Sequence, residues 1–248
     1  MDKNTRQYLT KRDKAIICGL FLSQWDKAGL GRLALTTFTE AFNVLGYALG
    51  VKPASIKNYR DELDPLFPNP RKGWHKRALR PSAERIYEIY KSYDIEEMAS
   101  LIAKLTGVDF GEPPTGEDQS SFVKRQLTGA AAENFFLQNY NAHDLFRTAE
   151  VRDMTRAGCG YDFSLRLPSG GDSLAVEVKG LAPKAGGITM TAKEYDVATV
   201  MTERYFLYVV AGMDTVPNAM TFRNPIFSGF SFQRAERSIV QVTWQTKV

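Results

Sequence analysis

Residues 160–180, Gly-Tyr-Asp-Phe-Ser-Leu-Arg-Leu-Pro-Ser-Gly-Gly-Asp-Ser-Leu-Ala-Val-Glu-Val-Lys-Gly, decide how the chain is read. Two β-rich runs, 161–167 and 173–179, flank Pro168-Ser-Gly-Gly-Asp172, which is the signature of a hairpin. Side chains alternate along a strand, so Glu177 and Lys179 share one face while Val176 and Val178 share the other. A buried valine face behind an exposed acid and base is the pattern of a site. If the hairpin turns about Gly170, paired residue numbers sum to near 340, which sets Asp162 opposite Val178 and diagonal to Glu177 and Lys179. Two carboxylates and an ammonium then converge. Such a pair is a hard-oxygen site suited to Mg²⁺, and the lysine beside it can orient a water or offset charge on a phosphoryl transition state. A Glu-x-Lys alone is more often a surface ion pair; here the hairpin and an upstream helix carrying Glu133 accompany it.

The pattern around this hairpin is ordered. A helix is expected over 121–140, strands over 144–151, 161–167 and 173–179, a helix over 191–203 and a buried strand over 205–211, followed by short β-like pieces from residue 218. Before residue 110 the periodicity is helical, over 14–25, 37–49, 54–63, 81–92 and 95–105. The acidic, turn-rich stretch near Gly111-Glu-Pro-Pro-Thr-Gly-Glu-Asp118 reads as a linker. Three parts follow: 1–110 helical, 111–120 linker and 121–248 α/β.

Residues 41–63 follow the spacing of two helices meeting across a glycine turn at Gly50, the helix-turn-helix arrangement. Pro53 suits the first turn of the second helix, and Ile56, Tyr59 and Leu63 bury against the first. Lys52, Ser55, Lys57, Asn58 and Arg60 are expected to face outward, where asparagine can pair with adenine, and lysine or arginine with guanine or phosphate. The alternative is a plain helical bundle with a polar outer face. Residues 1–110 hold 18 Lys+Arg against 13 Asp+Glu, and the remainder 14 against 15, which gives the +4 of the whole chain. Within residues 71–80, Arg71, Lys72, Lys76, Arg77 and Arg80 stand without an acid. That density, with His75, suits a DNA backbone, the alternative being a solvated surface loop; for Trp74 the two readings are a stack on a base and an anchor of the loop to the core.

The composition also excludes. Two cysteines and two histidines in 248 residues are too few for a disulfide framework or a zinc cluster, so a metal is expected on oxygen. No window approaches a membrane span, and the charged start is unlike a secretory signal, which leads to the expectation of a cytoplasmic protein without membrane contact. His75 and His143 lack partners at ligand spacing. Cys159 reads as packing, and Phe222, Phe227, Phe230, Phe232 and Trp244 as core closure, with base gripping the sharper alternative.

Residues 122–210, through the strings GAAAENFFLQNY, GYDF, AVEVKG and ITMTAKEY, resemble the PD-(D/E)XK nuclease superfamily, restriction endonuclease branch. The resemblance implies an αβββαβ core, the order read above. By position it implies Asp162 and Glu177 as metal-binding acids, Lys179 as catalytic lysine, Glu133 as the supporting helix carboxylate and the Val178 carbonyl as a further ligand. Tyr161 stands where the family name has proline. The N-terminal part resembles winged-helix DNA-binding domains, and the pairing looks like compact BisI-like, methylation-dependent restriction enzymes. Together these lead to the expectation of a Mg²⁺-dependent endonuclease on double-stranded DNA, a homodimer without organic cofactor, with dependence on 5-methylcytosine an option. The alternatives are a non-catalytic DNA-binding protein on the same fold and a structure-specific repair nuclease.

Overall fold

The computed structural model describes residues 9–68, 71, 78–111, 118–236 and 246. Among them are seven α-helices and a five-stranded mixed sheet, a mixed α+β architecture. Helices α1 (Lys11–Arg32), α2 (Phe38–Ala48), α3 (Pro53–Leu63), α4 (Pro81–Tyr90) and α5 (Ile95–Thr106) precede the long α6 (Gln119–Asn139). Strands β1 (Glu150–Asp153), β2 (Phe163–Arg166) and β3 (Leu174–Gly180) follow, then α7 (Ala192–Met201), β4 (Tyr205–Ala211) and β5 (Asn218–Arg223). Among the described residues no helix is long and apolar enough to cross a membrane.

Local chemistry sets the helix boundaries. Thr10 and Asp13 form a capping box at the start of α1, and Thr37 accepts the Glu40 N–H to open α2. Pro53 occupies the first turn of α3, where its missing N–H costs nothing. The periodicity expected for the first helix stops at residue 25, whereas α1 continues to Arg32. The break falls at Asp26, whose φ of 49° and ψ of −124° kink the helix and shift its apolar stripe.

The strands lie in the order β1-β2-β3-β4-β5, with β3 and β4 parallel and the other pairs antiparallel. Helix α7 fills the crossover that parallel neighbours require. On one face Phe163, Val176, Val178, Phe206 and Tyr208 meet α6, whose Phe136 ring lies 4.7 Å from Phe163 and 5.0 Å from Tyr208. Burying a ring of this size contributes about 2–3 kcal/mol. On the other face Ala175 and Tyr205 pack with Ala198 of α7. A Cβ at Gly180 would come within 2.6 Å of the Thr128 carbonyl oxygen, so glycine is what lets α6 lie directly on the end of β3.

The first strand differs from expectation. Residues 144–148 form turns, and the strand is Glu150–Asp153, because Phe146 is spent on the core beneath the turn. The hairpin register differs as well. Phe163 pairs with Val176 and Leu165 with Leu174, a sum of 339, which brings Asp162 one step closer to Glu177 than expected.

The helical part and the sheet share a continuous hydrophobic core rather than two separate ones. Helix α2 packs along α6, where Tyr47 meets Phe135 at 4.9 Å and Lys124 pairs with the fully buried Glu40 at 2.9 Å. Asn43 donates to the carbonyls of Met213 and Thr215, both at 2.9 Å, which ties α2 to the β4–β5 turn. No strand occurs among the described residues before Glu150, so the α2–α3 pair stands without a described wing.

Candidate active site

Asp162, Glu177 and Lys179 meet where β2 and β3 leave their ladder. Asp162 precedes β2, and its N–H donates to the Val176 carbonyl at 3.0 Å. Its carboxylate oxygen Oδ2 accepts the Val178 N–H at 2.8 Å, which fixes the side chain against β3. Lys179 places Nζ 2.6 Å from Glu177 Oε1 and 2.7 Å from Glu194 Oε2. The approach to Asp162 runs through Gly160, whose φ of +91° is a left-handed conformation that glycine adopts without strain. A Cβ there would also meet Val197 of α7 at 2.8 Å.

Glu177 is 3% exposed, so the acid expected on an open face is in fact buried beneath α7 and the 154–161 loop. Alternation alone separated it from Val176; the covering of the second face was not visible in that pattern. A cleft of about 150 Å³ leads to it, lined by Cys159, Tyr161, Asp162, Glu177, Lys193 and Glu194 among others.

Burial sets the electrostatics. The Glu177 carboxyl is pushed up to about 8 by burial, with Lys179 pulling against this and Asp162 and Glu194 adding to it. Burial likewise raises Asp162, opposed by the Val178 N–H and Lys179 and reinforced by Glu194 and Asp153. Glu133 rises to about 7 by burial and by the charges of Asp162 and Asp153. Burial would lower the Lys179 ammonium, yet the carboxylates of Glu177 and Glu194 hold it above its usual range. Negative charge is thus crowded at one end of the sheet, an arrangement that a positive ligand would relieve.

Among the described residues no group of three or more His, Cys, Asp or Glu side chains converges as a complete protein cage. Asp162 and Glu177, with the Val178 carbonyl on the same strand, fit instead a cation that takes one or two carboxylates and keeps several waters, as Mg²⁺ does. Glu133, on α6, is electrostatically coupled to Asp162 and Lys179 and belongs to the same end of the sheet.

Two participants escaped the sequence reading. Asp153 ends β1 beside Phe163 and raises both Asp162 and Glu133; its Oδ1 accepts the N–H and hydroxyl of Thr155. Placing the first strand too early hid it. Glu194, in the ITMTAKEY string at the start of α7, lies outside the hairpin and yet accepts a hydrogen bond from Lys179.

The expected DNA-facing residues divide. Lys52, Lys57 and Asn58 are exposed and Ser55 half-exposed, as the helix-turn-helix spacing predicts. Arg60 is not outward. It is 9% exposed, its guanidinium lies 4.8 Å from the Phe38 ring centroid and 4.9 Å from that of Phe42, and it bonds Asp61. Two aromatic rings and an adjacent acid capture it more strongly than water does. Arg71 is likewise tied to Asp64 and Asp26 rather than free for phosphate. Arg80, counted in the same cationic run, is paired with Glu62. Lys72, Trp74, His75, Lys76 and Arg77 lie outside the described residues. His143 stacks on Phe146 at 4.2 Å. Cys159 lines the cleft, its thiol 3.5 Å from the Tyr161 carbonyl. Phe222, Phe230, Phe232 and Tyr195 form a chain of ring contacts, while Phe227 is exposed and Trp244 lies outside the described residues.

The fold and this end of the sheet define a mixed α+β protein with a buried acid–lysine centre. Residues 132–222 match the family model of the C-terminal domain of Protein NO VEIN, a family associated with PD-(D/E)XK-like nuclease domains. The matched stretch runs from the end of α6, just ahead of Glu133, into β5 and so contains every residue of the centre. No curated protein and no solved structure matches the chain.

Proposed function

We propose that the chain is a Mg²⁺-dependent endodeoxyribonuclease of restriction type, in which the α6–β5 unit hydrolyses phosphodiester bonds of duplex DNA and the α2–α3 pair contributes to binding. The observation that carries this reading is the convergence of Asp162, Glu177 and Lys179 beside Glu133, all within the matched family segment. Asp162 and Glu177, with the Val178 carbonyl, would hold the cation. When bound, it supplies a water of lowered pKa and a positive charge against the phosphate oxygens. Lys179 orients the attacking water and offsets negative charge as the phosphorus gains its fifth oxygen. Glu133 and Asp153 keep the local field negative, favouring cation entry. A single centre cuts one strand, so cleavage of both strands of a symmetric sequence calls for a homodimer.

The test is incubation of the protein with plasmid DNA, methylated and unmethylated at cytosine, in Mg²⁺ and in EDTA, followed by sequencing of the cut ends. Mg²⁺-dependent duplex cleavage abolished in Glu177→Ala supports the proposal, and the two plasmids report modification dependence. Binding without cleavage under all conditions would overturn it in favour of a non-catalytic DNA-binding protein. Cutting confined to single-stranded or branched DNA would point to a structure-specific repair nuclease.

A further inference from the structure

Glu194 is the third residue of α7 and closes its capping box. Its N–H donates to Thr191 Oγ1 at 3.2 Å, and its Oε2 accepts the Thr191 N–H at 3.0 Å. A capping residue at this position needs no more than that, and glutamine serves as well as glutamate. Yet the same Oε2 also accepts Lys179 Nζ at 2.7 Å, reaching from the helix cap to the sheet.

We infer that Glu194 is a positioning residue, which holds the Lys179 ammonium at the scissile end of the sheet; the inference rests on the nuclease reading of the site. Lysine is a point charge on a flexible four-carbon stem with three donors, so its placement depends on fixed acceptors. Here two carboxylates from different elements fix it: Glu177 on β3, and Glu194 on α7. They are not equivalent. Glu177 is the partner that a cation at the Asp162–Glu177 pair would draw upon, whereas Glu194 is anchored by the helix cap. Glu194 therefore remains the lysine's partner when the oxygens of Glu177 are engaged elsewhere. Helix α7 acts through this contact as the wall against which the lysine is set.

The chemistry of the cap supplies a clean variant. Glu194→Gln preserves the capping box and removes the charge that faces Lys179, so its melting temperature is expected to fall by no more than about 5 °C, the loss of one charge-assisted bond. In the full-length protein without added metal, competitive acylation by acetic anhydride, read by mass spectrometry, should label Lys179 about tenfold faster in the variant, as a charge-assisted bond is replaced by a neutral one. With duplex DNA and Mg²⁺, kcat should fall between about tenfold and 10²-fold while KM stays within about twofold, because the loss is one of alignment. Unchanged acylation of Lys179 together with unchanged kcat would assign Glu194 to helix capping alone and overturn the inference. If wild type cuts no substrate while acylation rises in the variant, the lysine contact stands and the nuclease reading fails. If wild type cuts and only KM changes, Glu194 contacts DNA instead, and the positioning role is rejected.

Discussion

At the end of β3, Glu177 is almost wholly buried with its charge opposed by Lys179, whereas Lys52, just ahead of α3, and Lys57, on it, stand in water. Both segments carry charged residues at regular spacing, and the fold treats them differently. On β3 the charges lie beneath α7 and a loop, so their electrostatic energy is large and their protonation shifts. On α3 the outer cations are solvated, Lys57 sharing its charge with Asp61 at 2.7 Å, while Arg60 is drawn inside between Phe38 and Phe42. Buried charge is suited to chemistry, and solvated charge to tracking a polyanion.

The largest effect expected is on the buried side. Glu177→Ala or Lys179→Ala should reduce the rate of Mg²⁺-dependent plasmid cleavage by at least about 10²–10³-fold, with DNA affinity nearly unaltered in a gel-shift titration. A matching loss of affinity would break the division between cutting and holding.

Arg60→Ala comes next and sharpens the line within α3. Because its guanidinium is packed on two rings and bonded to Asp61, the loss should appear as about 2–3 kcal/mol of stability in urea unfolding, below the full cost of a broken buried pair because Lys57 and Arg71 still serve the acids. A variant that unfolds like wild type but binds DNA weakly would return Arg60 to the outer face.

A smaller effect follows from pH. The folded-state value of Glu177, about 8, lies above its ordinary 4.5, so the protonated form favours folding below pH 4.5 and that contribution disappears as pH rises through 8. Glu177→Gln removes the dependence. In thermal melts without added metal it should be more stable than wild type by roughly 1–3 kcal/mol at pH 9 and little different at pH 4. Equal stability at both pH values would mean that the carboxyl is effectively solvated.

Smallest is the outer face of α3. Lys52→Ala should weaken DNA binding uniformly across sequences and flatten the dependence of log K on log salt by about 0.9, one phosphate contact. Asn58→Ala should relax discrimination by about 1–3 kcal/mol at one base pair if that side chain reads an adenine. Unaltered slope and unaltered sequence preference in the double variant would leave α3 a bundle helix.

Periodicity and turn chemistry made much of this legible in advance. The alternation Val-Glu-Val-Lys, the Gly-Gly turn and the glycine before Pro53 located β3, its hairpin and the α2–α3 pair, because each depends on neighbours within a few residues. The sum rule for the hairpin placed Asp162 near its partners, missing by one residue because a connection of seven residues, 167–173, does not fix register. Arg60 was misjudged for a related reason: its helical phase pointed outward, but Phe38 and Phe42 come from the preceding helix and their closeness is a tertiary fact. Asp153 and Glu194 were missed as partners since one depends on where β1 begins and the other on how α7 is laid across the sheet.

The sequence by itself determined which residue types could do chemistry and that Glu177 and Lys179 would share a strand face, for a strand has only two faces. Tertiary structure alone decided that this face would be covered by α7, that Lys179 would lie between two carboxylates, and that α2 would lie along α6 in a common core. The reason is physical: alternation and capping act over a few residues of chain, whereas burial and the electric field at a carboxylate come from whatever packs beside it, however distant in sequence.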